Sequence, residues 1–379
     1  MRKNEVAKDE SQVNKKKILI LMNGSFALFK FKRELISELN DSYEVILVFP
    51  FNEFTDQLEE ISTKMINLYV DRRGKNIFTD FEMYKNLFSI MKNEKPDMVL
   101  AYTIKMNIYG GFICQYLSIP YILNITGLGS AFNNKISSSF FRLLYKIASI
   151  KAEFVFFQNI DNYKSFVVKI IQKEKAVLVN GSGVNLEEFM LEAMIDNETT
   201  TFTFIGRVMK DKGIDEFIEA AKIINSKHKN TYFQIIGKIE DIKYTEIMRN
   251  ISGIGIRYLG FSEEIKEFVK KSDCIINPSY HEGLSNVLLE AAAMGRPLLA
   301  TDIPGCKEVV NDGYNGYLFS RHSTESLVLA IEKFLELDFE KRKVFGENSR
   351  ELVARRFDRK KVNEVYIVKI REILGERSI

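Results

Sequence analysis

Two carboxylates, Glu282 and Glu290, and two cations, Arg207 and Lys212, stand in segments whose residue types suit phosphate and sugar chemistry. The longer segment, His281 to Phe319, reads HEGLSNVLLEAAAMGRPLLATDIPGCKEVVNDGYNGYLF. A helix opening near Ser285 or Asn286 carries Glu290 in its second turn and leaves Glu282 in the loop before it. Gly283, Leu284 and Ser285 then present backbone N–H groups at a helix start, where the donors and the helix dipole favour a phosphate oxygen or a sugar hydroxyl. Glycine lets the backbone approach such a ligand closely. A carboxylate at Glu290 can accept both hydroxyls of a ribose. Taken alone, the spacing favours two ordinary helix-surface glutamates.

The second segment, Phe204 to Gly213, reads FIGRVMKDKG. A strand ends at Ile205, and Gly206, Arg207 and Lys212 follow within one loop. Two cations at the carboxyl end of a strand can clamp a diphosphate and neutralise charge on a departing nucleotide. Either cation alone reads as an exposed basic turn; both beside a loop glycine do so less well.

These loops need elements to hold them. KILILM from Lys17 to Met22 is a buried-type strand, followed by Asn23-Gly24-Ser25, a helical pattern to Leu39, and a second strand over Glu44 to Phe49. That order implies a parallel sheet. Further strands are expected at Ile66 to Val70, Met98 to Ala101, Tyr121 to Ile125 and Phe154 to Gln158. The pattern restarts with strands at Thr201 to Ile205, Tyr232 to Ile236, Ile256 to Leu259, Cys274 to Asn277 and Pro297 to Ala300. The expected organisation is a flexible tail over 1–15, a Rossmann-like domain over 16–184, a second over 185–360, and a helix over 361–379 packing back towards the first. The fold class is α/β: two doubly wound parallel-sheet domains facing across a cleft, with ligands at the carboxyl ends of the strands.

A chain of 379 residues suits two domains, and 46% hydrophobic with 28% charged residues is ordinary for a globular protein. The net charge of +3 gives no ground for a nucleic-acid partner. Cys114, Cys274 and Cys306 form no CxxC pair, so neither a disulfide framework nor a zinc site is indicated, and a reducing cytosol fits. The first fourteen residues lack the apolar centre of a signal peptide, and no stretch is long and apolar enough to span a bilayer. Ile136 to Ile150 (ISSSFFRLLYKIASI), and Phe26, Phe29 and Phe31 beside Lys30, Lys32 and Arg33, are candidates for contact with anionic lipid.

With these segments in view, FIGRVMKDKG together with His281 to Phe319 resembles family 4 of the retaining glycosyltransferases, of GT-B architecture. Asn180 to Phe189 (NGSGVNLEEF) is similar to that family's interdomain signature, with Asn185 where many members carry Asp. Thr103 to Gly110 (TIKMNIYG), Ile125 to Phe132 (ITGLGSAF) and Phe157 to Asp161 resemble a bacterial subgroup that builds capsule, O-antigen and N-glycan precursors on undecaprenyl diphosphate, including N-acetylgalactosaminyltransferases. The resemblance implies that Arg207 and Lys212 hold the donor diphosphate, that Glu290 binds ribose and that Glu282 contacts the transferred sugar. It implies that the amides of Gly283, Leu284 and Ser285 meet sugar and phosphate, with Gly206, Tyr258 and Gly260 near the nucleotide. Gly24 would face the diphosphate from the first domain, and Lys105, Asn107, Thr126 and Gly127 would line the acceptor side. The implied partners are a nucleotide-sugar donor, a UDP-sugar in kind, a lipid-linked glycan acceptor and the inner face of the cytoplasmic membrane; no metal or other cofactor is implied. His228, His281 and His322 all fall in the second half, so no histidine base is expected on the acceptor side.

Three rivals share parts of this pattern. A nucleotide-sugar 2-epimerase has the same architecture but gives no reason for the Thr103 and Ile125 segments. A dehydrogenase needs G-x-G-x-x-G, which Asn23-Gly24-Ser25 lacks. A non-catalytic glycan-binding scaffold has no need of Arg207, Lys212, Glu282 and Glu290 together.

Overall fold

A computed structural model describes residues 15–71, 77–127, 135–167, 169–251 and 255–376. Residues 1–14 and the Leu128 to Phe132 part of the ITGLGSAF motif lie outside the described residues. Seven parallel strands form one sheet: β1 (Lys17–Leu21), β2 (Glu44–Phe49), β3 (Lys64–Asn67), β4 (Met98–Tyr102), β5 (Tyr121–Ile125), β6 (Phe154–Phe157) and β7 (Ala176–Leu178), in the order β3-β2-β1-β4-β5-β6-β7. Six form another: β8 (Thr200–Ile205), β9 (Thr231–Ile236), β10 (Ile256–Tyr258), β11 (Cys274–Asn277), β12 (Leu298–Thr301) and β13 (Gly316–Phe319), in the order β10-β9-β8-β11-β12-β13.

Both orders are those of a doubly wound α/β sheet, as the sequence led us to expect. The cause is visible in β1: Ile18, Leu19, Ile20 and Leu21 are all essentially inaccessible, with Ile18 opposite Val45 on one side and Met98 on the other. A parallel strand covered on both faces must read as a continuous apolar run. β8 plays the same part in the second sheet, pairing Phe202 with Phe233 of β9 and with Cys274 of β11. Phe202 stacks on Phe233 at 5.1 Å between ring centroids and meets Phe334 edge-on at 5.7 Å.

Three strands depart from expectation for physical reasons. β3 comes two residues early, because Ile46–Phe49 take Lys64–Asn67 as ladder partners, while Leu68 and Val70 bury in the loop beyond. β7 is three residues long and partly exposed, so its apolar run of Ala176, Val177 and Leu178 is too short to stand out as a strand. β13 opens on Gly316, whose missing side chain lets it lie against the Leu298 carbonyl; a Cβ there would stand 1.7 Å from that oxygen.

The chain forms two compact units: Met1–Asn124 with Leu144–Val155 and Lys369–Ile379, and Ile125–Leu143 with Phe156–Val368. In the first, Tyr43 donates to Glu376 at 2.6 Å, and burial with that carboxylate pushes the phenol up to about 12. In the second, Arg296 is fully buried and its guanidinium donates only to carbonyls, of Val269 (3.0 Å), Glu192 (2.8 Å), Gly295 (3.3 Å), Ala193 (3.4 Å) and Lys270 (3.0 Å). Replacing Arg296 by Met should strip these acceptors of their donors and lower unfolding free energy by about 3 kcal/mol, read as a fall in the urea midpoint.

Candidate active site

Strand order reverses between β8 and β11, the switch point where doubly wound sheets bind ligands. The two loops singled out in the sequence leave the sheet there. After β8 the chain runs through Gly206 and Arg207, makes a single 3-10 turn at Lys210–Lys212, and enters the helix Ile214–Lys227 through Gly213. Gly213 has φ +71°, and a Cβ on it would lie 2.1 Å from the carbonyl oxygen of Pro278 just beyond β11. The left-handed backbone and the close approach both require glycine. The Tyr280 amide donates to Asp211 O at 2.9 Å, and the Tyr280 hydroxyl to both oxygens of Glu216 at 2.7 and 2.9 Å.

So clamped, Lys212 Nζ reaches Glu282 Oε1 at 2.6 Å, with both side chains about four-fifths covered. Arg207 is more exposed and pairs loosely with Glu240 at 3.7 Å. Its neighbours at the carboxyl ends of β8, β9 and β10 are joined in a row. The Gly206 amide donates to Ile236 O, the Gly237 amide to Gly260 O at 2.8 Å, and the Tyr258 hydroxyl to Gly237 O at 2.8 Å.

The loop before the helix Asn286–Ala293 is held from three sides. Ser285 caps the helix by accepting from the Leu288 amide at 3.4 Å and takes a bond from Asn277 Nδ2 at 2.6 Å. Its own amide donates to Gly305 O at 3.0 Å. The expectation that the Ser285 N–H is open to a ligand is therefore corrected: the Gly305 turn uses it. Glu308, half-buried, accepts from the Gly305 amide at 2.6 Å and fixes that turn; burial raises its carboxyl above the usual range, and the amide opposes the shift. The amides of Gly283 and Leu284 donate to no described residue. Glu290 occupies the second turn, half-buried, as its spacing required. His281 is exposed, and partial desolvation followed by the charge of Arg321 lowers its pKa.

Thr126 and Gly127 belong to the same compact unit as this loop. A Cβ on Gly283 would stand 1.6 Å from Thr126 O, and one on Gly127 would stand 3.6 Å from the Gly283 nitrogen. Asn159, buried, donates to Gly283 O at 2.6 Å.

In the other unit Gly24 follows β1 in extended conformation (φ 170°), with open space around its Cα. Lys105 does not point freely into solvent: it is held by Asp80 Oδ1 at 2.6 Å and Asp71 O at 2.7 Å. Tyr109 donates to the other Asp80 oxygen, and burial with that charge pushes its phenol up to about 12. Asn107 requires a correction. It is fully buried, and its side chain donates to Asn124 O at 2.8 Å and accepts from the Asn124 amide at 3.2 Å. It braces β5 from inside and lines no acceptor surface. Thr103, between β4 and these residues, carries φ +73°, strained for a β-branched side chain. Among the described residues no three His, Cys, Asp or Glu side chains converge as a metal site would need.

Sequence reasoning missed Asn159, Asn277, Gly305 and Glu308. Asn159 and the Gly305 carbonyl bond backbone groups distant in sequence, Asn277 bonds the Ser285 hydroxyl and Glu308 the Gly305 amide, and none of these residue types announces its partner in the sequence. Gly283→Ala should force the loop away from Thr126 by about 1 Å or more. Turnover should fall by about 10²-fold, with the melting temperature lowered only modestly, measured by parallel activity and thermal-unfolding assays.

With this geometry in place, comparison with known proteins gives a consistent result. Residues 17–159 match the family described as glycosyl transferase 4-like, and residues 187–352 the family described as glycosyl transferases group 1. The chain is 24% identical over 339 residues to the N,N'-diacetylbacillosaminyl-diphospho-undecaprenol alpha-1,3-N-acetylgalactosaminyltransferase of Campylobacter jejuni, covering 84% of this chain and 89% of that one. It is 26% identical over 280 residues to the UDP-Gal:alpha-D-GlcNAc-diphosphoundecaprenol alpha-1,3-galactosyltransferase of Escherichia coli, covering 68% and 71%. The crystal structure of Anabaena HepE in complex with UDP and glucose superposes with a TM-score of 0.77 at 15% identity, covering 94% of this chain and all of that one, and shares the fold. Carrying the two family segments in tandem on two doubly wound sheets, the chain belongs to the family 4 glycosyltransferases of GT-B fold.

Proposed function

We propose that this glycosyltransferase moves a sugar, an N-acetylhexosamine carried by UDP, onto a polyprenyl-diphosphate-linked glycan in the synthesis of a bacterial surface polysaccharide or glycoprotein glycan, with retention of configuration. The observation that carries the proposal is the Lys212–Glu282 contact at 2.6 Å beside the two open amides of Gly283 and Leu284. A cation, a carboxylate and paired N–H donors at the switch point of a parallel sheet suit a sugar diphosphate: positive groups for the phosphates, a carboxylate for the sugar hydroxyls. The acceptor class follows the relatives from Campylobacter jejuni and Escherichia coli, whose names specify diphosphoundecaprenol-linked acceptors.

In this reading, the bond between the sugar C1 and the β-phosphate oxygen breaks as the acceptor oxygen bonds to C1 from the same face. The leaving phosphate oxygen takes the acceptor's hydroxyl proton, so no protein base is needed. Lys212, Arg207 and the Gly283 and Leu284 amides stabilise the charge that builds on the diphosphate, and Glu290 orients the ribose. Glu282 has two partners to serve, Lys212 and the transferred sugar. The reaction is expected to run without a metal ion and to tolerate chelator.

Lys212→Ala should lose about 10²–10³-fold in turnover. The same mutant with wild-type kinetics would remove the clamp from the account. A radiolabelled donor assay tests the reaction class: label appearing in the lipid phase means transfer, whereas an altered sugar nucleotide with no lipid product means an epimerase.

No helix among the described residues is long and apolar enough to cross a membrane. The proposed contact with the inner leaflet uses the helix Lys135–Ala148, where Phe140, Leu143 and Ile147 are exposed on one face and Ile150 follows. Lys146 is exposed beside them. Two basic groups expected at the lipid surface are placed elsewhere. Arg142 donates to Ser165 O at 2.9 Å and stacks over Phe166, and Lys32 is buried over the Tyr102 ring at 5.1 Å. Flotation with anionic vesicles should carry wild-type protein upward and leave a Phe140→Ser, Leu143→Ser, Ile147→Ser triple variant in the load fraction. Equal flotation of both would remove this helix from the contact.

A further inference from the structure

The geometry points to Asn159 as a positioning residue that aims the Leu284 amide at the donor. The inference rests on the proposed donor site and adds a residue to it. Asn159 is 2% exposed, and its side-chain amide is divided between two tasks. Oδ1 accepts from the Asn162 amide at 2.8 Å and caps the helix Ile160–Phe166. Nδ2 donates to Gly283 O at 2.6 Å, across 124 residues of sequence.

The consequence follows from peptide geometry. The carbonyl of Gly283 and the N–H of Leu284 belong to one planar trans peptide, so they point in opposite directions. Fixing the Gly283 oxygen on Asn159 turns the Leu284 N–H the other way. That N–H donates to no described residue, and the Leu284 side chain is buried in the core, so the amide cannot swing with its side chain. Thr126 O packs where a Gly283 side chain would be, which blocks rotation from the other flank. An amide held this way needs no reorganisation when charge develops on a ligand oxygen. Without the Asn159 bond, the half-buried Gly283 carbonyl lacks its partner, and the peptide gains a reason to flip its oxygen into the site.

Asn159→Asp separates the two tasks. A carboxylate still caps the helix through the Asn162 amide, but it cannot donate to Gly283 O and repels it. The melting temperature should stay within about 2 °C of wild type, since the cap is kept. UDP affinity should fall about 10-fold, and turnover about 10²-fold, the scale of one preorganised donor. Uridine, which has no diphosphate, should bind both proteins equally. Asn159→Gln, which keeps a donor on a longer arm, should recover part of the UDP affinity. Isothermal titration with UDP and with uridine, transfer kinetics and thermal unfolding together read all four quantities. UDP binding and turnover unchanged in Asn159→Asp would overturn the inference while leaving the donor site standing. Equal loss of UDP and uridine binding with a collapsed melting temperature would also overturn it, since Asn159 would then be structural only. Wild-type protein that binds neither UDP nor uridine and transfers no sugar would overturn the functional proposal, and this inference with it.

Discussion

The close approach of Gly213 to Pro278 is the constraint on which the site depends. It locks the end of β8 to the end of β11, and no side chain larger than hydrogen fits between them. From that contact the rest follows in short steps. The Asp211 carbonyl receives the Tyr280 amide, Tyr280 reaches Glu216 at the start of the following helix, and Lys212 and Glu282 end up face to face. Two opposite charges about four-fifths covered would be costly apart; together they hold each other ready. In the proposed function a donor diphosphate would bring new negative charge to this pair, drawing Lys212 to phosphate and releasing Glu282 towards sugar hydroxyls.

A second layer of the design works through hydrogen bonds alone. Asn277, Ser285, Gly305 and Glu308 form a chain of bonds that fixes where the helix Asn286–Ala293 begins. Asn159 and Thr126 fix the loop just before it. The result is a loop whose N–H groups at 283 and 284 donate to no described residue while that of Ser285 is in use. Selectivity of this kind is set by which backbone donors are already taken, not by which side chains are charged. Ser285 shows the point: its sequence position suggested a ligand-binding amide, and the fold gives that amide to Gly305.

Sequence alone made most of the fold legible, because buried parallel strands must be apolar throughout. β1, β2, β5, β8 and β11 were read nearly to the residue for that reason. β7 and β13 escaped because a three-residue edge strand and a glycine-led strand carry apolar runs too short to stand out. The charged half of the site was legible too, since Arg207, Lys212, Glu282 and Glu290 are costly residue types whose grouping asks for an explanation. The neutral half was not. Asn159 and Gly283 are far apart in the chain, and nothing about an asparagine announces that it will hold a carbonyl. Asn107 erred in the other direction: a polar residue in a suggestive motif turned out to brace Asn124 inside the core.

The most direct measurement is a crystal structure with UDP bound. The account predicts the β-phosphate within hydrogen-bond distance of the Leu284 amide and of Lys212 Nζ, with Lys212 drawn from Glu282 and the Gly283 carbonyl still on Asn159. UDP seated away from the β8 and β11 loops, with Lys212 and Glu282 undisturbed, would contradict it.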